Sequence, residues 1–499
     1  MGGELQGVEG EDQGNVRTIP EDDPVICEDT EGAKEEEINL VGVVQETVDH
    51  FFPHFNDWLN EIDDPRDPEL ITYELRTLIW TGVLMFLTKR KARRQISYEM
   101  RGGKNLENLM KFSGQQKLEY APHGDTVEYS MIRVDAVELE KMRVKMMRKL
   151  LRNKVFERDR IGDEYYPIAV DGVHTHTFRK KHCDRCLVRE CNGKKVWMHA
   201  KLEASLVTAS GFCLGMASEW IENNGEGEYE KQDCELKAFY RLVEKLRRLY
   251  PKLKICLLLD SLFCGAPTFE ILKKNRMEGI IVFKEGSMPE VYEWSLKWMD
   301  RNGKENVLME REEEEIGERA PRTHEERMRR QKPRHAKRKK VTEIKYRWME
   351  KLPHWDERRY FNVLSCEENR DGEKICDYKW LITDGLRLDR NTARALSREG
   401  RGRWKIENEG FNMQKNGGYE LEHPYSKDEV AMKGWHELLG IAHILSQLIE
   451  KGSLVKTVIM GSIANLAKRL FEHLRYRSFE RTEKTQGMQI RFSRPSDTS

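Results

Sequence analysis

Three acidic residues stand at positions where carboxylates can act together. Asp171 and Asp260 each follow a short apolar run that predicts a buried β-strand, and neighbouring strand ends place carboxylates within a few ångströms of each other. Glu407 lies in a helical segment further along the chain, with Arg403 one helical turn before it. A single aspartate at a strand end is commonly a cap or turn residue. Two aspartates on separate buried strands favour a shared functional site.

The elements that must position these acids follow from the hydrophobic pattern. Between residues 41 and 160 apolar residues recur at helical spacing, and Asp135 is placed to cap a basic amphipathic helix that ends at Arg152. From Tyr165 onward the pattern predicts three strands, a helix, a strand, a helix and a strand, over residues 168–170, 196–207, 212–220, 233–250, 255–259, 268–274 and 279–283. Gly211 suits a hairpin turn between the second and third strands. This order predicts a mixed α/β domain whose helices cover a sheet.

A long insertion separates the second aspartate from the glutamate. Asp260 and Glu407 are 147 residues apart, far more than one strand and one helix require. An acidic run over 310–326 and a basic run over 327–340 are followed by strand-like segments at 341–349, 360–365 and 378–383. Asp371-Gly372 supplies a turn before the last of these. The region is therefore predicted to be β-rich, and helices resume over 391–414, 434–451 and 459–475.

With this element order, the segment around Glu407 resembles the DDE transposases of bacterial insertion sequences. The branch of that family with a β-rich insertion carries the pattern Tyr-x2-Arg-x3-Glu-x6-Lys, and Arg403 lies four residues before Glu407, as the pattern requires. Gly400 stands at the tyrosine position and Gln414 at the lysine position, with Lys415 one residue later. The resemblance covers about residues 165–425. It implies a ribonuclease H-like catalytic core with a β-rich insertion, preceded by an α-helical domain.

The resemblance also implies a chemistry for the acids. Two Mg²⁺ or Mn²⁺ ions held by Asp171, Asp260 and Glu407 would serve the attacking and leaving oxygens of an in-line phosphodiester displacement. The acids are therefore expected to be metal ligands and not general bases. Arg403 is expected to contact a phosphate, with an i,i+4 ion pair to Glu407 as the alternative. Glu409 competes as the third acid, and the spacing from Arg403 favours Glu407.

A cysteine cluster forms a separate candidate site after the first predicted strand. Its Cys-x2-Cys spacing suits tetrahedral Zn²⁺, but no second such pair exists, so thiols without a metal are the alternative. The candidate zinc ligands are Cys183, Cys186, Cys191 and His199, with His182, His174 and His176 as other choices for the histidine. The remaining seven cysteines are scattered irregularly, which is typical of a reducing cytoplasm.

Charge is distributed unevenly along the 499 residues, although lysine plus arginine and aspartate plus glutamate both total 86. Residues 1–40 carry a net charge of −11, so the other 459 residues carry +11. A basic body is compatible with a polyanionic partner, and we expect double-stranded DNA, both transposon ends and target. Solvated helix faces and loops are the alternative interpretation of the basic stretches. The residues expected to contact DNA are Arg403, Lys415, Arg93, Arg94 and Arg338.

The predicted organisation has six parts. They are an acidic disordered tail (1–40), a helical DNA-end-binding domain (41–160), a catalytic core (161–284 and 385–430), a β-rich insertion (285–384), C-terminal helices (431–478) and a flexible tail (479–499). The longest apolar run has ten residues where a membrane span needs about 20, so we expect a cytoplasmic protein. The resemblance to transposases implies that the protein is nucleoid-associated and acts as a homodimer on paired ends. A DNA-binding protein without catalysis and a metal-dependent nuclease of the same fold are the competing hypotheses.

Overall fold

The computed structural model describes residues 38–223, 232–301, 306–316, 338–353, 360–455, 463–479 and 490–492. Most of the predicted acidic tail and C-terminal tail lies outside these ranges, as do residues 327–337 of the basic run. Residues Asn39–Ser499 belong to one compact unit.

The helical periodicity before residue 160 corresponds to a layer of α-helices. They are α1 (Leu40–Phe51), α2 (Phe55–Asn60), α3 (Leu75–Leu87), α4 (Arg93–Glu99), α5 (Gly103–Ser113), α6 (Gly124–Met131) and α7 (Ala136–Arg152). Asp135 caps α7 as predicted, because its carboxylate accepts a hydrogen bond of 2.9 Å from the backbone N–H of Val137. The apolar run of α3 is buried in this layer. None of the described helices is long and apolar enough to cross a membrane.

One mixed sheet follows the helical layer. Its strands are β1 (Tyr166–Phe178), β2 (Leu187–Cys191), β3 (Lys194–Val207), β4 (Cys213–Ile221), β5 (Ile255–Leu259), β6 (Glu278–Val282), β7 (Val307–Ile316), β8 (Arg338–Pro353), β9 (Tyr360–Arg370) and β10 (Glu373–Thr383). β4, β3 and β1 pair in antiparallel fashion, and β5 and β6 then continue parallel to β1. The strands of the predicted insertion extend the same sheet beyond β6 in the order β10, β9, β8, β7. The fold is therefore mixed α/β.

Helices cover this sheet and join it to the helical layer. Those after β4 are α8 (Glu235–Leu249), α9 (Ala266–Lys274), α10 (Pro289–Arg301), α11 (Ala393–Arg401), α12 (Asn412–Asn416), α13 (Glu429–Lys451) and α14 (Ile463–Tyr476). α8 packs on β3 and β4, while α13 packs on both α3 and α7. Trp435 of α13 is 1% exposed, so the interior of the helical layer includes a segment from the other end of the chain.

The sequence prediction was wrong or incomplete at four elements. β1 does not end at Asp171 but continues to Phe178, paired there with β3 alone. The acidic run contains β7, which the hydrophobic pattern did not predict and which pairs with β8 in antiparallel fashion, with Arg311 opposite Glu343. Pairing with a neighbouring strand therefore makes this charged segment a strand. β2 and α10 were not predicted at all.

Candidate active site

Asp171 and Asp260 are brought together by the parallel pairing of β1 with β5. The last register pair joins Ala169 to Leu258, and each aspartate lies two residues beyond it. Adjacent strands are about 4.8 Å apart, and residues at equal offsets from a register pair point to the same face. The two carboxylates therefore occupy neighbouring positions at one edge of the parallel part of the sheet.

Glu407 reaches the same edge from a continuous helical segment after β10. α11 passes into a 3₁₀ turn at Gly402–Trp404 and then a π-helical turn at Ile406–Phe411. The 3₁₀ turn packs against β1 and β5, with the Cα of Gly402 close to the side chain of Leu258. π-Helical turns are frequent at functional sites. The turn presents Arg403 and Glu407 towards the strand carboxylates.

The guanidinium of Arg403 lies between the acids. Its Nη1 is 3.4 Å from Oδ2 of Asp171, and its Nη2 is 2.8 Å from Oε1 of Glu407. The Arg403 side chain is only 3% exposed. The i,i+4 ion pair with Glu407 is thus present. Arg403 acts in this structure as the counterion of the acid cluster, which consists of Asp171, Asp260 and Glu407. Its predicted phosphate contact stays a prediction.

Burial and neighbouring charges have opposing effects on the pKa values of the carboxyl groups in this site. Burial raises the pKa of Asp171 to about 7, with the neighbouring Glu407 carboxylate adding to the rise and Arg403 opposing it. Burial also acts to raise the pKa of Asp260, but hydrogen bonds from Ser261 and the charge of Arg403 hold it below its ordinary value. The Ser261 hydroxyl donates to Oδ1 of Asp260 at 2.8 Å. Two neighbouring aspartates therefore differ in how readily they ionise, and a nearby cation would favour ionisation of Asp171.

Replacing Asp171 by asparagine is expected to stabilise the protein in buffer without added divalent cation. A raised carboxyl pKa means that ionising Asp171 costs folding free energy as pH rises from about 4 to about 7, and asparagine removes that cost. The free energy of unfolding should increase by about 1–3 kcal/mol at pH 8 and be unchanged at pH 4 or below. Urea unfolding at both pH values measures it. Asp63→Asn, at an exposed position, is the control. Equal effects of Asp171→Asn at both pH values would contradict the expectation.

A fourth acid, Glu235, was missed by sequence reasoning. It opens α8 and packs against Gly172, where a Cβ would lie 2.4 Å from its Oε1. Burial raises the pKa of Glu235, Asp260 raises it further, and His174 opposes the rise. Glu235 therefore lies on the Gly172 face of β1, within electrostatic range of Asp260. The signal in the sequence was a glycine directly after the strand aspartate, which leaves room for an incoming side chain.

The structure also separates the two candidate third acids. The charge of Glu409 acts on the Cys213 thiol at the start of β4. The next residue, Gly410, lets the Cys213 thiol pack against this turn, because a Cβ at Gly410 would lie 2.8 Å from the Cys213 Sγ. Only Glu407 of the two shares the Arg403 guanidinium with Asp171 among the described contacts.

Packing accounts for the two departures from the transposase pattern. A Cβ at Gly400 would lie 2.5 Å from Nε1 of the buried Trp380 on β10, so the tyrosine position has no room for a side chain. Gln414 is buried, and its Nε2 lies 3.2 Å from Nδ1 of His443. Lys415 pairs with Glu422 at 2.7 Å and is about one-third exposed.

The other residues predicted to bind DNA differ in their surroundings. Arg93 is paired with Glu128 at 3.0 Å, whereas Arg94 is exposed on α4. Arg338 begins β8, and its side chain lies outside the described residues. On α7, Arg143 is buried, so that basic helix is not uniformly solvated. Trp348 on β8 is also buried.

The cysteine cluster is assembled, but with a different fourth member. Cys183, Cys186 and His199 come together with His182, and their ligand atoms all lie within 4.8 Å of one another. Cys191 is exposed at the end of β2 and is not part of the group. His176 lies instead 3.2 Å from the backbone oxygen of His423. Within the described residues, no other group of three or more potential ligands is this compact, so Asp171, Asp260 and Glu407 are spread more widely.

The donor chemistry of the acid cluster suits a hard divalent cation. Asp171, Asp260 and Glu407 offer only carboxylate oxygens, which Mg²⁺ and Mn²⁺ prefer. The three carboxylates are spread more widely than the ligands of a single ion, and this spread is compatible with two ions about 3.5–4 Å apart.

Comparison with known proteins found a weak structural similarity. No protein-family model matches the chain, and no curated protein matches it. The fold is similar to a solved structure described as a piggyBac transposase synaptic complex with hairpin DNA. The TM-score is 0.39 at 9% sequence identity, and the match covers 87% of this chain and 80% of that chain.

Proposed function

We propose that this chain is a DDE-type transposase, a metal-dependent polynucleotidyl transferase that cuts and rejoins DNA at the terminal inverted repeats of an insertion sequence. The observation that carries the proposal is the set of Asp171, Asp260 and Glu407 around the buried Arg403. The sheet order β4-β3-β1-β5-β6 supports the proposal. In this order β4 and β1 each pair with β3 in antiparallel fashion, and β5 and β6 run parallel to β1. It is the arrangement expected of a ribonuclease H-like core.

The proposed mechanism assigns a task to each member of the cluster. Asp171, Asp260 and Glu407 would hold two Mg²⁺ or Mn²⁺ ions, which when bound polarise the phosphodiester and stabilise the attacking and leaving oxygens. Arg403 pairs with the carboxylates of both Asp171 and Glu407 and thereby holds them close to each other. Glu235 adds negative charge next to Asp260. The raised pKa of Asp171 makes metal binding weaken as pH falls below about 7.

Double-stranded DNA is the proposed partner, and two copies of the chain acting on paired ends are the proposed assembly. The +11 charge of residues 41–499 supplies the long-range attraction for phosphates. Arg94, Lys415 and Arg93 are the candidate contacts whose side chains are at least partly exposed.

A strand-transfer assay tests the proposed function. The purified full chain would be incubated with Mg²⁺, a supercoiled target plasmid and linear DNA carrying the sequences that flank its gene. We expect cleavage at the end sequence and a product in which the new 3′ end is joined to the plasmid. Cleavage without joining would identify the nuclease alternative. Specific DNA binding without cleavage in Mg²⁺ or Mn²⁺ would favour the non-catalytic alternative.

Gly172→Ala is expected to weaken metal binding without unfolding the protein. The new methyl group would displace the flexible Glu235 carboxylate from beside β1. Loss of an acid next to the ligand Asp260 should raise the Mg²⁺ concentration for half-maximal cleavage by about 10-fold or more. Glu235→Gln should give the same result. Gly42→Ala is the matched control, since a Cβ there meets only Phe479 at 3.8 Å. An unchanged Mg²⁺ dependence in both site variants would exclude a role for Glu235.

A further inference from the structure

A compact group of two cysteines and two histidines lies apart from the acid cluster. His182, Cys183 and Cys186 belong to the connection between β1 and β2, and His199 projects from β3. Cys186 is 3% exposed and His199 is 1% exposed. The proposed phosphodiester chemistry uses none of these thiols and imidazoles.

The separations within the group match those imposed by a tetrahedral ion. The Sγ atoms of Cys183 and Cys186 are 3.5 Å apart, and Nε2 of His199 is 3.5 Å from the first and 3.4 Å from the second. Zn–S bonds of about 2.3 Å and Zn–N bonds of about 2.0–2.1 Å at tetrahedral angles place two sulfurs about 3.8 Å apart and sulfur and nitrogen about 3.6 Å apart. The three atoms therefore already span three corners of such a tetrahedron.

Polar atoms around the group lack the partners that a purely structural cluster would need. Nδ1 of His182 and Nδ1 of His199 are both buried without a hydrogen-bond partner among the described residues. Neutral imidazoles that face two thiols gain only weak hydrogen bonds, since sulfur is a poor donor and acceptor. A cation held by Nε2 of His199 and the two thiolates would replace these weak hydrogen bonds with stronger ligand bonds.

The surrounding chain holds the loop in place. The backbone N–H of Cys186 points at the carbonyl of Cys183 at 3.4 Å, which turns the chain so that both thiols face one point. Asn223, just after β4, donates from Nδ2 to the carbonyl of Cys186 at 2.8 Å. The ring of Phe178 stacks on His182 at 4.4 Å between centroids. The site is therefore supported by contacts with neighbouring elements.

We propose that His182, Cys183, Cys186 and His199 bind one structural Zn²⁺ ion, which ties the β1–β2 connection to β3. The expectation from sequence that Cys191 completes the set is replaced by His182. A closed set of four protein ligands leaves no position for water or substrate, so the ion stabilises this edge of the sheet and takes no part in catalysis.

Metal analysis of the full chain tests this site. Protein purified without a histidine tag and without chelator should carry one zinc per chain by mass spectrometry. Cys183→Ser and Cys186→Ser should lose the tightly bound zinc. Cys191→Ser, an exposed cysteine in the same hairpin, should keep it. Wild-type protein without bound zinc, or equal loss of zinc in Cys191→Ser, would overturn the proposal.

Cobalt substitution supplies a readout that does not depend on whether a variant folds. Wild-type chain freed of zinc and titrated with Co²⁺ should show intense visible absorption of a tetrahedral ion together with thiolate-to-metal charge transfer. A weak octahedral spectrum would overturn the proposal. Asp171→Asn protein should bind zinc as the wild type does, so this test can fail or succeed independently of the proposed transposase activity.

Discussion

Replacing Asp260 by asparagine is expected to reduce Mg²⁺-dependent cleavage by about 1,000-fold or more, equivalent to about 4 kcal/mol of transition-state stabilisation. Asp260 has the carboxylate with the lowered pKa in the cluster, so it is ionised and available to a cation at neutral pH. Asparagine keeps its shape but removes the charge that the cation needs. Asp171→Asn and Glu407→Gln should have effects of similar size, because each removes one ligand of the proposed pair of ions.

DNA binding separates a catalytic role from a folding defect in these variants. Each should bind end-sequence DNA as tightly as the wild type in the presence of Ca²⁺, measured by fluorescence anisotropy. Glu409→Gln is the matched control for Glu407→Gln, since Glu409 lies two residues away and the hydrogen bond of Arg403 goes to Glu407. Undiminished cleavage by Asp171→Asn or Asp260→Asn protein would refute the assignment of the site.

Arg143→Ala is expected to destabilise the protein by about 3–5 kcal/mol, the cost typical of breaking a buried ion pair from one side. Arg143 on α7 donates from Nε to Glu437 on α13 at 2.8 Å and from Nη2 to Ser218 on β4 at 3.0 Å. Its side chain is 3% exposed and that of Glu437 is 7% exposed. Truncation leaves the Glu437 carboxylate buried without its cation. The effect should be large because one side chain connects the helical layer, α13 and the sheet.

Two glycines allow the chain to pack closely around Arg143. A Cβ at Gly215 would lie 2.8 Å from its Nη1, and one at Gly440 would lie 3.1 Å from its Cδ. Lys141→Ala on the same helix is the matched control, because Lys141 is 58% exposed and pairs only with Glu138 in the described contacts. It should change stability by less than about 0.5 kcal/mol. Midpoints of urea unfolding at pH 7 compare the variants, and equal midpoints for Arg143→Ala and the wild type would contradict this account.

Local sequence signals predicted the core of the fold well. β5 was predicted to the residue, because a continuous apolar run of five residues is typical of a strand covered on both faces. The turn at Asp371-Gly372 was also correct, and both residues have positive φ, +52° and +87°. α8 was predicted within two residues of each end, since its apolar residues recur at helical spacing. Errors were concentrated where charge or pairing overrides hydrophobic pattern, as in β7.

The sequence by itself determined which residues could form an acid cluster and the order of elements that carries them. Asp171 and Asp260 follow from apolar runs, which are local properties of the chain, and Glu407 follows from the resemblance of its segment to the transposase pattern. Only the tertiary structure decided that Glu235 lies against Gly172, that His182 replaces Cys191, and that Arg143 is buried. Each of these depends on strand register or helix packing between segments distant in sequence. Periodicity reports which face of an element is buried, but it carries no information about which distant side chain that face meets.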